Sequence, residues 1–186
     1  MNWVYQFDMS GFRAINLGLH RPWLDPFFML LSYSGLGVCP TLAPFLFLLS
    51  KSTRHYVLPL LINVFVSGIV LADGVKELLP RDRPSNMAFA IRQESHLLGS
   101  FPSGHTTTSF GFAMMITFLT WNTKYRKLGY SSFVWATLVG ISRIYRGVHW
   151  PTDVLAGVCF GVASACMLYL LLPKVGIAVE KESEPR

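Results

Sequence analysis

Apolar runs of about bilayer length alternate with short polar breaks along most of this chain. The runs are Phe27 to Ser50, Tyr56 to Val75, Ser103 to Trp121, Leu128 to Ile144 and Val154 to Leu172. Each is near the roughly 20 residues that a helix needs to cross a membrane. Gly35, Gly37, Pro40 and Pro44 interrupt the first run and predict a kink near its middle. In the last run Gly157, Gly161 and Ala165 recur every four residues and predict a small-residue face for close helix packing. Residues 2–20 differ from these runs. Trp3, Phe7, Ile15, Leu17 and Leu19 are interleaved with Asp8, Ser10, Arg13 and Asn16, a mixture too polar to span. That segment predicts an amphipathic helix at the membrane interface, or a short helix folded onto the bundle. The expected fold class is all-α: a polytopic transmembrane helical bundle of five to six membrane helices, the N-terminal one interfacial. A single domain is expected over 1–186, with the interfacial helix over 1–25, the bundle over 26–172 and a polar tail without order over 173–186.

Composition agrees with a membrane protein. Of 186 residues 52% are hydrophobic and only 14% charged, against about 25% charged in soluble domains. The formal net charge of +6 is spread between apolar runs and forms no single patch. The bilayer and its anionic headgroups are therefore the expected partners, and nucleic acid is not. Cys39, Cys159 and Cys166 are odd in number, form no Cys-x-x-Cys and fall in apolar runs. They read as small core residues, without a disulfide framework or a zinc site. The first twenty residues lack a continuous apolar core, so no cleavable signal peptide is expected.

Counting the runs from the N-terminus sorts the connections onto two sides. The loops at 51–55 and 122–127 fall on one side and are short and basic. The N-terminal segment, the long connection over 76–102 and the turn at 144–150 fall on the other. Every chemically rich segment lands on that second side. From Ser142 to Asp153 two arginines, a histidine and an aspartate stand between apolar runs. Ionisable groups are costly there and mark functional sites. Arg143 offers a planar fork for phosphate, and His149 is a nucleophile or a proton carrier. Asp153, four residues on, reaches one imidazole nitrogen if a helix starts near Trp150, where Pro151 suits a first turn. Lys76 and Arg83 add two cations, and Asp73 lies one turn before Lys76, close enough to pair with it. Ser103 is a good N-cap, and with Gly104 and His105 it places a helix start beside them, where backbone N–H groups favour an anion. Two histidines permit one to attack phosphorus while the other protonates the leaving oxygen.

Each residue also has a plain reading. Lys76 suits an interfacial lysine, Arg83 a headgroup anchor, His105 a polar helix start, and residues 142–153 a juxtamembrane loop. Their joint placement on one side favours the chemical reading. The residues then resemble the type-2 phosphatidic acid phosphatase superfamily. Lys76, Arg83 and Pro84 match its Lys-x6-Arg-Pro, Pro102 to His105 its Pro-Ser-Gly-His, and Ser142, Arg143, His149 and Asp153 its Ser-Arg-x5-His-x3-Asp. The resemblance implies a helical membrane bundle, usually of six helices, and a hydrolase that needs no metal or other cofactor. It implies His149 as nucleophile, Asp153 as its orienting partner and His105 as general acid. Lys76, Arg83, Ser103, Gly104 and Arg143 would bind the phosphate.

Lys51, Arg54, Lys124, Arg126 and Lys127 place the short loops in the cytoplasm and the chemical face opposite, toward a bacterial periplasm or exterior. Met87, Phe89, Ile91, Leu97, Leu98 and Phe101 suit an apolar lid, a segment that dips into the bilayer, or ordinary loop packing. Expected substrates are lipid phosphates: undecaprenyl diphosphate, lipid A 1-phosphate, phosphatidylglycerol phosphate or phosphatidic acid. A lipid-phosphate transporter or flippase, or a non-catalytic membrane partner, is the alternative. Neither alternative requires two histidines and an aspartate.

Overall fold

The computed structural model describes residues 3–94 and 99–179, and among these every regular element is helical. Eight α-helices follow in order: α1 (Trp3–Phe12), α2 (Asp25–Ser34), α3 (Val38–Leu42), α4 (Val57–Phe65), α5 (Gly74–Leu78), α6 (Gly104–Thr120), α7 (Arg126–Tyr145) and α8 (Pro151–Leu171). Wider π turns extend α1 over Arg13–Gly18 and join α4 to α5 over Val66–Asp73. One helix thus runs from Arg54 to Leu78, and Lys76 stands in its last turn, not in a loop.

Two helices, Arg54–Leu78 and Pro151–Val175, are long and apolar enough to cross a membrane. The pair Pro22–Ser34 and Val38–Leu49 makes a third if it is one span, bent by 49°. The bend falls at Gly35–Gly37, where the kink is expected, and Pro40 and Pro44 beyond it withhold backbone donors. Helices stand at the other two expected places but miss that mark. α6 has 17 residues, and serines, threonine and Arg143 dilute the 20 residues of α7.

α6 is the axis of the bundle and packs against α4, α7 and α8. The small-residue face of α8 makes this possible. A Cβ at position 161 would lie 2.3 Å from the Thr107 carbonyl oxygen, so only glycine permits this approach. Asn63 ties three helices together: Nδ2 donates to the Gly111 carbonyl at 3.1 Å, and Oδ1 accepts from Ser164 Oγ at 3.1 Å. Tyr56, Leu60, Met115, Ile116, Leu119 and Leu168 fill the core at the far end, and Val179 packs there too. The tail is therefore ordered at least to Val179, and residues 180–186 lie outside the described range. Leu30, Leu46, Leu58, Phe65, Ile69, Val134 and Leu170 point outward, as lipid-facing residues do. Cys39 and Cys159 are also exposed, which corrects their reading as core residues. In a bilayer the outside of a bundle is as apolar as its inside, so hydropathy does not separate the two.

The N-terminal helix is docked on the bundle along one face. Asp8, Phe12 and Asn16 are buried, while Trp3 and Phe7 point outward. Phe12 packs against the Trp150 ring at 5.3 Å between centroids. Asn16 Nδ2 donates to the carbonyls of Tyr145 at 2.8 Å and Ile91 at 2.9 Å.

Candidate active site

α7 ends at Tyr145, and the chain turns through Gly147 at φ 79°. A side chain there would meet the Ile91 carbonyl oxygen at 2.5 Å. α8 then starts at Pro151, three residues before its apolar run, and Asp153 lies in its first turn. Asp153 reaches back to accept from the Trp150 N–H at 2.8 Å, which fixes the helix start. The same oxygen accepts from Ser100 Oγ at 2.5 Å. His149 Nδ1 stands 3.5 Å from it, near enough for ionic contact but without a closed hydrogen bond.

The other imidazole nitrogen, Nε2, lies 3.4 Å from Arg83 Nη1. Arginine only donates, so this approach favours a lone pair on Nε2 and the proton on Nδ1. His149 is 2% exposed. Burial, and then the charges of Arg143, Arg83 and Lys76, push its pKa well below the ordinary value of 6.5. The ring is therefore neutral at neutral pH, the form a nucleophile requires.

Arg83 is itself buried and donates to the carbonyls of Val148 at 3.1 Å and Gly99 at 3.0 Å. Burial and the charge of Arg143 lower its pKa, while Asp153 and Glu94 oppose them. Lys76 Nζ pairs with Asp73 at 2.8 Å, as their spacing suggests. Ser103 caps α6: its Oγ accepts from the Thr106 N–H at 3.4 Å and Thr106 Oγ1 at 2.8 Å. Its own N–H donates to the Asp153 carbonyl at 3.0 Å, which joins the second motif to the third. Trp150 Nε1 donates to the Asp82 carbonyl at 2.9 Å and joins the first to the third. A Cβ on Gly104 would lie 3.0 Å from Lys76 Nζ, so its absence lets the ammonium approach the start of α6.

Arg143 is 1% exposed. Its two terminal nitrogens donate to the two oxygens of Glu94, each at 2.9 Å. One of them also donates to Ser32 Oγ, and Arg146 Nε donates to Glu94 at 2.6 Å. Burial raises the Glu94 pKa, but hydrogen bonds and charge from Arg143 and Arg146 hold it well below the usual range. On the opposite flank Arg81 bridges two acids. Nη1 donates to Asp153 Oδ1 at 2.6 Å, and Nη2 to Asp8 Oδ2 at 2.5 Å. Asp8 also accepts from the Thr152 N–H at 2.8 Å and Thr152 Oγ1 at 2.7 Å.

The eight residues singled out by sequence thus converge at one end of the bundle. Glu94, Asp8, Arg81, Ser100 and Ser32 join them without having been foreseen. Asp8 carries the clearest missed signal, as the only acid in Trp3–Phe12. The described loop residues pack against their neighbours. Phe89 lies against Phe12, Ile91 is held by Asn16, and Phe101 lies against Phe160. Leu97 and Leu98 lie outside the described residues. Among the described residues no group of three or more His, Cys, Asp or Glu side chains is placed to hold a metal ion.

A cavity of about 680 Å³ begins at Lys76, Gly104 and His105 and runs sideways between helices past Leu36, Leu42, Val64, Phe65 and Ile69. At the opposite end a second cavity of about 780 Å³ is lined by residues of both short basic loops, among them Ser52, His55, Asn122 and Lys124.

Comparison with known proteins agrees with this geometry. The bacitracin transport permease protein BcrC of Bacillus licheniformis is 29% identical over 91% of this chain and 83% of its own length. A lipid A 4'-phosphatase of Porphyromonas gingivalis is 29% identical over 91% of this chain and 74% of its own. The crystal structure of Aquifex aeolicus LpxE superposes with a TM-score of 0.77 at 27% identity, covering 88% of this chain and 94% of that one. The model of the PAP2 superfamily matches residues 52–177, a stretch that holds all three motifs. This chain belongs to the PAP2 superfamily.

Proposed function

We propose that this chain is a lipid phosphatase that hydrolyses a phosphate monoester or diphosphate on a membrane lipid through a phosphohistidine. Lys76, Arg83 and Arg143, with Ser103 and Gly104 at the start of α6, hold the phosphate oxygens. His149 Nε2 attacks phosphorus as the bond to the leaving oxygen breaks, and His105 gives that oxygen its proton. His105, now a base, takes a proton from water. The resulting hydroxide displaces His149 from phosphorus and yields inorganic phosphate. Asp153, 3.5 Å from Nδ1, closes on Nδ1–H during attack and balances the charge that develops on the ring.

One observation carries the lipid substrate. The apolar cavity opens at Lys76 and His105 and runs to the outward-facing Leu42, Phe65 and Ile69. A headgroup at the cations leaves its hydrocarbon between the helices. The lipid A 4'-phosphatase among the relatives agrees with this class. One relative is named a bacitracin transport permease, and the second reading is transport, in which a lipid phosphate is carried and not cleaved. In our reading α2–α3, α4–α5, α6, α7 and α8 cross the membrane and α1 lies at its surface. The basic loops at 51–55 and 122–127 face the cytoplasm and the site faces outward. With the three native cysteines replaced, a variant carrying Ala88→Cys, at an exposed position, should then react with an impermeant thiol reagent added outside intact cells, and labelling only after lysis would reverse the orientation.

The function is tested by phosphate release in detergent with EDTA, from undecaprenyl diphosphate, lipid A 1-phosphate, phosphatidylglycerol phosphate and phosphatidic acid. Wild type should release phosphate, and His149→Ala should lose at least about a thousandfold in rate. Equal release by both would remove His149 as nucleophile. Binding without release from any lipid would favour transport.

A further inference from the structure

The cation fork assigned to phosphate already holds an anion. Glu94 engages both terminal nitrogens of Arg143 at 2.9 Å and Arg146 at 2.6 Å. The paired, planar contact is the one a phosphate makes with arginine. The surroundings are those of a phosphate too. Arg143 and Arg146 are buried, and the charge of Glu94 reaches Arg83. Two buried cations share one carboxylate, and among the described residues Arg143 Nε has no hydrogen-bond partner. The cluster therefore retains positive charge and one donor for a further anion.

We propose that Glu94 is a resident competitor for the phosphate site, holding the place of the substrate's phosphate on Arg143 and Arg146 until that phosphate displaces it. The inference rests on the reading of Arg143 as a phosphate-binding residue. A terminal phosphate carries about −1.5 to −2 charge at neutral pH and supplies three acceptor oxygens, enough to replace one carboxylate. Glu94 weakens every anion by the same factor, because an occupied fork must be vacated first. That factor matters in a bilayer, where phosphodiester headgroups surround the site at high local concentration. It keeps them from filling the fork, and it speeds the departure of product phosphate. Glu94 thus sets affinity without touching the reacting atoms.

The test measures how inorganic phosphate and dimethyl phosphate, a soluble phosphodiester, protect the full-length protein in detergent against thermal unfolding. Wild type, Glu94→Gln and Glu94→Asp are compared, and hydrolysis of the best lipid substrate is followed in parallel. If the fork is free a tenth of the time, Glu94→Gln should bind both anions about tenfold more tightly. Its KM should fall, and kcat should not rise. Glu94→Asp, a shorter carboxylate that keeps the charge, should fall between and serves if the glutamine variant does not fold. Unchanged or weaker anion binding in folded variants, with wild type active, would overturn the inference alone. A wild type that neither anion protects and that hydrolyses no lipid would overturn the assignment of Arg143, and this inference with it.

Discussion

Two ionic clusters flank His149, and they are built with opposite surpluses. On one flank Asp8 and Asp153 share Arg81, two carboxylates about one guanidinium. On the other Arg143 and Arg146 share Glu94, two guanidinium groups about one carboxylate. The acid-rich cluster is complete. Thr152 and Arg81 satisfy Asp8, while Ser100, Trp150 and Arg81 hold Asp153. The cation-rich cluster keeps a donor, Arg143 Nε, that has no partner among the described residues. Buried charge is expensive unless it is paired, so a surplus of each sign requires a reason. In the proposed reaction the negative surplus faces the histidine that gains positive charge during attack, and the positive surplus faces the arriving phosphate. On that proposal one cluster is framework and the other is a binding site in its unliganded state.

The largest effect that would break this contrast is on stability. Asp8→Ala strips Arg81 and Thr152 of a buried acceptor. Because the Arg81 side chain is 30% exposed and partly solvated, the expected loss is about 2–3 kcal/mol, below the range for a fully buried pair. Thermal unfolding in detergent reads it, and turnover should fall in the protein that remains folded, because Asp153 loses its support. Asp8→Ala as stable as wild type would show that the acid-rich cluster is not framework. The smaller effect is on pH. Since the His149 pKa is depressed, the imidazole stays neutral below pH 6.5, and kcat/KM should decline only as pH falls through the lowered value. Glu94→Gln removes a negative charge beside Arg143 and should move that decline to still lower pH. Asp8→Ala acts on His149 only through Arg81 and Asp153 and should move it less. A profile that falls already above pH 6.5 would contradict the environment described for His149.

The sequence makes legible what depends on near neighbours. The break at Gly35–Gly37, the cap at Ser103, the pairing of Asp73 with Lys76 and the packing face at Gly161 all rest on spacings of a few residues. The motif residues are legible for a different reason, because their types and order match a family. The supporting residues are not. Glu94 meets Arg143 across 49 positions, and Asp8 meets Thr152 across 144, so no local periodicity announces either contact. The number of spans is hard to read for a related reason. α7 lies within a bundle where serine and threonine find partners, such as Thr137 Oγ1 donating to the Phe133 carbonyl at 2.9 Å. Its hydropathy therefore understates its place beside α6.

The contact between Asp8 and Thr152 also sets an order of events during synthesis. Asp8 leaves the ribosome 144 positions ahead of Thr152. The first helix is made well before its partner, and Asp8 waits without Thr152 while the intervening helices are made. Only when the last long helix begins do Thr152 and Asp153 arrive to meet Asp8 and Arg81. Closing so long a loop adds little further entropic cost, which grows only with the logarithm of its length. A nascent chain that stops before this point has Arg143 and Arg146 but lacks Asp153, which orients His149 in the proposed reaction. In that reaction hydrolysis is withheld until the two distant parts of the polypeptide have met.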